Sequence, residues 1–361
     1  MIYISEGLLY ICFAMLMGTF LLRFVPEQIR PQVHVGNGLL LACAIAVPVL
    51  SFMPVHRTAL LFASDFGISY GATLKSILTE INAGKAWLWT LIGSAGLVAL
   101  LALKPFREDR HMAKVGVFIT ALLAIGRGYN SHAASLYSMK GLAVQSAHFL
   151  AVTVWIGTLF VVGWFSRSDE NWSRFLGWFS PVAIVSVLVT LLSGLALMSF
   201  TTPEYVNAWM LPYGQLLLIK HLLIAPLLLF AYTNGFGYRS TIRRNPSFMP
   251  RPWLRAESVI ALILFIVTGF LGWQTPPHNV RETLQSVPPS PLFTGLYRGS
   301  FSPDMKLTFT LSLESILMLA AALILAAGMI WMYRSNRLIL AFAIGLLIPV
   351  FGYFGLMFAL A

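Results

Sequence analysis

Long apolar stretches fill this chain, separated by short polar connections. At about 20 residues per membrane crossing, the pattern predicts ten helices, at 4–24, 37–54, 87–104, 114–132, 141–165, 176–200, 214–236, 253–275, 307–333 and 338–360. Only two connections are long, 55–86 and 276–306. Within the first, Ser69 to Ile81 mixes apolar and polar residues and reads as an interfacial segment. The second is rich in proline and glycine and reads as an ordered loop. The expected fold class is all-α, a polytopic transmembrane helical bundle of about ten spans (8–10), forming a single integral membrane domain over 1–361.

Composition agrees with the pattern. The 361 residues are 58% hydrophobic and 10% charged, against roughly 25% charged in soluble domains. A net charge of +11 would suit a nucleic-acid partner if it were gathered into a patch with aromatics. Here the basic residues are scattered through loops, so no nucleic acid is expected and the lipid membrane is the partner. Lys and Arg accumulate on the cytoplasmic side of membrane proteins. Of the 24 basic residues, fifteen fall on or beside the 25–36, 105–113, 166–175, 237–252 and 334–337 connections, and seven fall on the opposite side. Arg127 and Lys220 lie within spans. This asymmetry puts both termini outside and makes 55–86 and 276–306 extracytoplasmic. The N-terminus has neither a basic region nor a small-residue cleavage site, so its first apolar segment reads as a retained span. Cys12 and Cys43 lie in apolar segments without CxxC spacing and read as small packing residues.

Ionisable groups inside a membrane are costly and mark function. With this topology His34 and His111 fall in cytoplasmic loops. His56, His132 and His278 fall at or beyond the outer ends of spans, and His148 and His221 lie roughly 12 Å inside from the same side at 1.5 Å per residue. Neutral imidazole binds metal without adding a buried charge. The outer half also supplies thioethers: Met53 in Ser51-Phe-Met-Pro-Val-His56, Met139 before the fifth span, and Met198 near the end of the sixth. Imidazole with thioether suits copper, particularly Cu(I), better than zinc. Gln145, His148, Val152 and Trp155 share one helix face, and Gly157 beside it permits close approach of a neighbouring helix. Lys220 and His221, being adjacent, project about 100° apart and serve different neighbours. Glu314 lies at a depth suited to pairing with Lys220, and Glu257 beside Arg255 reads as an interfacial ion pair. Arg127 needs a partner that the spacing does not reveal.

His148-Phe-Leu-Ala-Val-Thr-Val-Trp155-Ile-Gly157 resembles the H-x6-W-x-G signature of the CopD/PcoD-type copper-resistance membrane proteins, which include the YcnJ-type proteins. Ser131-His132-Ala133 resembles the family's small-His-Ala element. Tyr213-Gly214-Gln-Leu-Leu-Leu-Ile-Lys220 with Asn234 downstream is similar to its G-x-L-L-x-K element, and Arg255-Ala-Glu257 leading to Thr275-Pro276-Pro277 is similar to the segment ending in Pro-Pro. The resemblance covers a core of roughly 110–280. It implies a multi-pass protein of the bacterial cytoplasmic (inner) membrane that moves copper, generally inward, alongside a CopC-like extracytoplasmic copper-binding protein. Some relatives carry that domain fused. Here 276–306 is too short to hold it, so a separate partner or direct uptake is expected to replace it.

The resulting expectation is a copper permease, not an enzyme, taking Cu(I) or Cu(II) at an outward-facing site. His132 and His148 are its principal ligands, with His56, His278, Met53 and Met139 as further candidates. Gln145, Trp155, Lys220, His221 and Glu314 are expected to line or support the pathway. No nucleotide-binding loop is present, so transport follows a gradient or another protein. Two alternatives stand beside it: a haem-b cytochrome ligated by a pair such as His148 and His221, and a copper-binding assembly or sensor protein that does not transport.

Overall fold

The computed structural model describes residues 2–109, 111–168, 170–237 and 249–361. Arg110, Arg239, Arg243 and Arg244, which contribute to the charge asymmetry, lie outside the described residues. In chain order the helices are α1 (Ile2–Phe24), α2 (Asn37–Phe66), α3 (Tyr70–Glu80), α4 (Asn82–Ala102), α5 (Lys104–Glu108), α6 (Met112–Tyr129), α7 (His132–Phe165), α8 (Trp172–Thr201), α9 (Pro212–Tyr232), α10 (Pro250–Leu271), α11 (Val280–Ser286), α12 (Pro291–Leu296), α13 (Leu313–Arg334) and α14 (Leu338–Met357). A π-helical turn, Thr233–Gly237, extends α9. Ten of these helices are long and apolar enough to cross a membrane, and no strand is present among the described residues. The chain is an all-α, multi-pass membrane protein.

The differences from the sequence expectation have local causes. α2 continues through Pro48 and Pro54 to Phe66 instead of stopping at 54, and Gly67, with φ of 65°, ends it. Position 67 needs a left-handed residue, which glycine supplies without a Cβ clash. The stretch from Ser69 to Ile81 is helical as α3, because the Ser69 hydroxyl accepts from the Ala72 amide and caps its N-terminus. The ninth span begins at Leu313, not 307. Thr308 and Thr310 instead pair with Ala361 and Ala359, while Ser312 and Ser315 form a capping box.

Two compact units divide the chain, Met1–Leu197 and Met198–Ala361. In the first, α1 is the central helix: Leu9, Phe13, Ala14, Met15, Leu16, Met17 and Phe20 are at most 2% exposed, enclosed by α2, α6 and α7. In the second, α9 packs on α10 and α14. The 276–306 segment is ordered, as its composition suggests. Val280 and Phe293 from α11 and α12 join Trp209, Met210, Leu218 and Met357 in one apolar cluster. At its edge Gln215 donates to the Trp209 carbonyl and accepts from the Tyr353 hydroxyl, both at 2.6 Å.

Candidate functional site

Ser131 starts α7 by accepting from the Ala134 amide, so His132 occupies the first helical position and is exposed. The helix then breaks. Tyr137 leaves helical geometry and Ser138 takes φ of 48° and ψ of −124°, a conformation rare for a residue with a side chain and one that persists only where its surroundings enforce it. The break folds the His132 turn back over Gly141, where a Cβ would overlap the Ala133 carbonyl and come within 2.8 Å of the Ala134 nitrogen. Met139, just past the break, is 73% exposed. The fifth span therefore carries a folded tip bearing His132 and Met139 and continues into the unit with His148.

His148 is half-buried. Its Nδ1 lies 3.0 Å from the Thr190 carbonyl and 3.0 Å from the Ser193 hydroxyl of α8. The Ser193 hydroxyl donates to the Val189 carbonyl, and a carbonyl only accepts, so these partners assign the ring proton to Nδ1 and the lone pair to Nε2. A metal-ligating histidine is usually held this way, its other N–H fixed by a backbone carbonyl. Farther along the same face, Gln145 is half-buried and Trp155 is 4% exposed. Gly157 does permit the close approach expected of it. A Cβ there would overlap the Ala14 carbonyl of α1, and one on Gly18 would overlap the Gly157 carbonyl.

The other candidates are distributed. His56 Nδ1 is 2.7 Å from the Tyr70 hydroxyl and its ring stacks near Phe52, with Met53 half-buried on the same helix. His278 is exposed after α10 and belongs to the second unit, whereas His56, His132, His148, Met53 and Met139 belong to the first. Met198 packs on Tyr213 and Leu217. The pair an axial haem would require is likewise split: His148 is in the first unit and His221 in the second, where its Nδ1 bonds the Tyr205 hydroxyl at 2.7 Å. Burial pushes the Tyr205 phenol up to about 12.

The ion pairs differ from those expected. Glu314 is exposed and pairs with Arg298 at 2.5 Å, not with Lys220, because the capped start of α13 leaves its carboxylate beside the 276–306 segment. Glu257, 1% exposed, accepts from Asn234 at 2.8 Å instead of pairing with Arg255. One residue to the C-terminal side of Ala256, it turns inward toward the π-helical turn while Arg255 is half-buried. Arg127 finds its partner in Glu6 of α1, whose side chain is 5% exposed against 23% for the arginine. Glu6 was not among the residues singled out from the sequence. A carboxylate within the first apolar run, with an unmatched intramembrane arginine elsewhere, was the available signal. Cys12 and Cys43 are buried thiols, neither of them in a disulfide.

Among the described residues, no three His, Cys, Asp or Glu side chains gather into a preformed metal cage. The candidate donors are imidazoles on separate helices and loops and exposed or half-buried thioethers.

Comparison with known proteins matches residues 1–142 to the description "Copper resistance protein D-like, N-terminal domain" and residues 173–271 to "Copper resistance protein D". The copper transport protein CutJ of Bacillus subtilis (strain 168) is 25% identical over 259 residues, covering 66% of this chain and 46% of CutJ. The chain thus spans about half the length of that curated relative. No solved structure matches the chain.

Proposed function

We propose that this chain, which belongs to the CopD-type copper-resistance family, carries copper inward across the bacterial cytoplasmic membrane from a His/Met site on its outer side. The observation that supports the reading is the setting of His148. Its Nδ1 lies 3.0 Å from the Thr190 carbonyl of α8, a backbone contact of the kind that orients a metal-ligating imidazole. His132 and Met139 sit on the folded tip of the same helix. In this reading the tip collects the ion, the exposed thioether favours Cu(I) over Cu(II), and His148 accepts the ion as it leaves water. Gln145 and Trp155 flank that step, and His56 with Met53 and His278 are accessory donors at the rim. Lys220 and His221 support transport from within the second unit. An extracytoplasmic CopC-like protein delivers the copper.

The ion is cargo, so its ligands must release it. A pair of neutral donors binds more weakly than a closed four-ligand cage and adds no buried charge. No side chain is assigned a catalytic role.

The test is copper binding and flux in parallel. In proteoliposomes loaded with a copper-responsive dye, His132→Ala and His148→Ala should each cut flux at least about tenfold, since a lost ligand costs 1.4 kcal/mol or more. In detergent the same variants should lose tight binding. Unchanged affinity and stoichiometry in both would refute this placement of the site. Binding without flux would favour the assembly or sensor reading, and a Soret band in the purified protein would favour haem b.

A further inference from the structure

At one end of the first unit, two cavities of about 400 and about 200 Å³ share Arg23, Arg30 and Arg107 in their linings. Arg23 lies in the last turn of α1, Arg30 in the loop that follows, and Arg107 in α5. The distribution of Lys and Arg assigns this end to the cytoplasm. Basic residues placed there ordinarily extend into water. These three are drawn in: Arg23 and Arg107 are half-buried, and the Arg30 side chain is 11% exposed.

The loop that carries Arg30 is pinned. Val33 pairs with Ser166, the Arg167 amide donates to the Gln32 carbonyl at 2.7 Å, and Asn171 Nδ2 donates to the Arg30 carbonyl at 3.4 Å. Arg30 Nε donates to the Val25 carbonyl at 3.1 Å, which fixes the side chain as well. The acids beside the smaller cavity already have contacts. Glu27, 87% exposed, meets Arg30 at 3.4 Å, and Asp109 accepts from the His111 amide at 2.7 Å. Among the described residues, the larger cavity has no acid in its lining. Thr19 and Asn37 line it too, and their Oγ1 and Oδ1 atoms are buried without a hydrogen-bond partner among the described residues.

Three arginine side chains around one space favour an anion with oxygens enough for all of them. A carboxylate offers two, whereas a phosphate offers more and matches the guanidinium fork. Guanidinium is also less strongly hydrated than ammonium, so drawing it out of water costs less. We propose that Arg23, Arg30 and Arg107 form a binding site for a phosphate-bearing anion, supplied as the headgroup of an anionic phospholipid or as free phosphate. Basic pockets between spans on the cytoplasmic side take headgroups of this kind. Phe106 and Met112 add apolar surface to the smaller cavity, which suits the glycerol and first methylenes of a lipid. Copper has no part in this site, so it stands or falls separately from the copper reading.

The test uses the full-length protein, delipidated in detergent, with dioctanoyl phosphatidylglycerol, dioctanoyl phosphatidylcholine and inorganic phosphate as probes and calorimetric titration as the readout. Arg23→Gln and Arg107→Gln should each weaken binding of the anionic probe at least about tenfold, the effect of losing a charge-assisted hydrogen bond. Arg167→Gln removes an exposed charge at the same end without lining either cavity, and should change binding less than about twofold. Equal weakening by Arg167→Gln would make the attraction diffuse and overturns the proposal. So does failure of both phosphatidylglycerol and inorganic phosphate to bind saturably, or binding of phosphatidylcholine as tight as that of phosphatidylglycerol. Phosphatidylglycerol that stays bound in excess phosphate identifies the lipid as the source; its displacement by phosphate identifies the free anion. Should the glutamine variants misfold, phenylglyoxal labelling of the unmodified protein gives the answer. Either anionic probe at saturation should protect Arg23 and Arg107 while Arg167 still reacts, and unchanged labelling of both arginines with both probes overturns the proposal.

Discussion

Adding one methyl group at Gly157 should damage the protein more than adding it at Gly126, and with the opposite sign. Gly157 of α7 and Gly18 of α1 lie against each other's backbone. A Cβ on Gly157 would overlap the Ala14 carbonyl and reach 3.1 Å from the Gly18 nitrogen, and one on Gly18 would come within 2.9 Å of the Thr158 nitrogen. The obstacle on each side is main chain, which cannot rotate away as a side-chain tip can. Overpacking of this kind costs about 1–3 kcal/mol, and the upper end is expected here because two whole helices must separate. At Gly126, by contrast, nothing lies within 4 Å of an added Cβ, so alanine should stabilise α6 by about 0.5–1 kcal/mol through its higher helix propensity. Unfolding in mixed micelles, followed by tryptophan fluorescence, gives both values. Gly18→Ala and Gly157→Ala press on one contact, so the double variant should lose less than the sum of the singles. Stability of Gly157→Ala at or above that of the unmodified protein would refute the reasoning. Because α7 also carries His148, the same variant should weaken copper binding without removing a ligand.

Three other perturbations test separate parts of the structure. Glu6→Ala leaves Arg127 without its carboxylate, and because the arginine is itself 23% exposed the loss should cost about 1–3 kcal/mol; thermal unfolding within about 0.5 kcal/mol of the unmodified protein would count against the pair. Tyr205 has its phenol raised from 10.0 to about 12 by burial, so its contribution to stability is complete below about pH 10 and is lost as pH rises through about 12. Tyr205→Phe should therefore flatten the alkaline limb of the stability profile, and superimposable profiles would contradict the assignment. Glu314→Ala removes only an exposed pair with Arg298, worth about 0–1 kcal/mol, and should leave copper flux unchanged; a large loss of flux would restore Glu314 to the pathway.

Much of the fold was legible because membrane spans are written in long, strong signals. All ten were located, and the errors lay at ends, where single caps such as Ser69 and Ser312 decide the boundary. The break at Tyr137 and Ser138 left no mark in the apolar pattern, since both positions sit in a stretch that reads as loop or helix equally well. The pairings were harder. Glu314 with Lys220 was inferred from depth alone, and depth does not say which helices are neighbours. Glu257 was read with Arg255 because they are close in sequence, although residues two apart on a helix do not face each other. His148 was legible as a candidate, but the carbonyl that fixes its tautomer comes from residue 190 of another helix.

The boundary between the two compact units falls at Leu197 and Met198, and it bears on how the protein is made. Thr190, Ser193 and Gly194, the α8 groups around His148, all precede it. So do Glu6 and Arg127. A chain emerging from the ribosome will therefore have synthesised these groups together before the second unit exists. Domains fold as units, the N-terminal one first, so the translocon can release six spans with their polar groups already matched. The order of insertion spares the nascent chain a period in which Arg127 or Glu6 faces lipid alone.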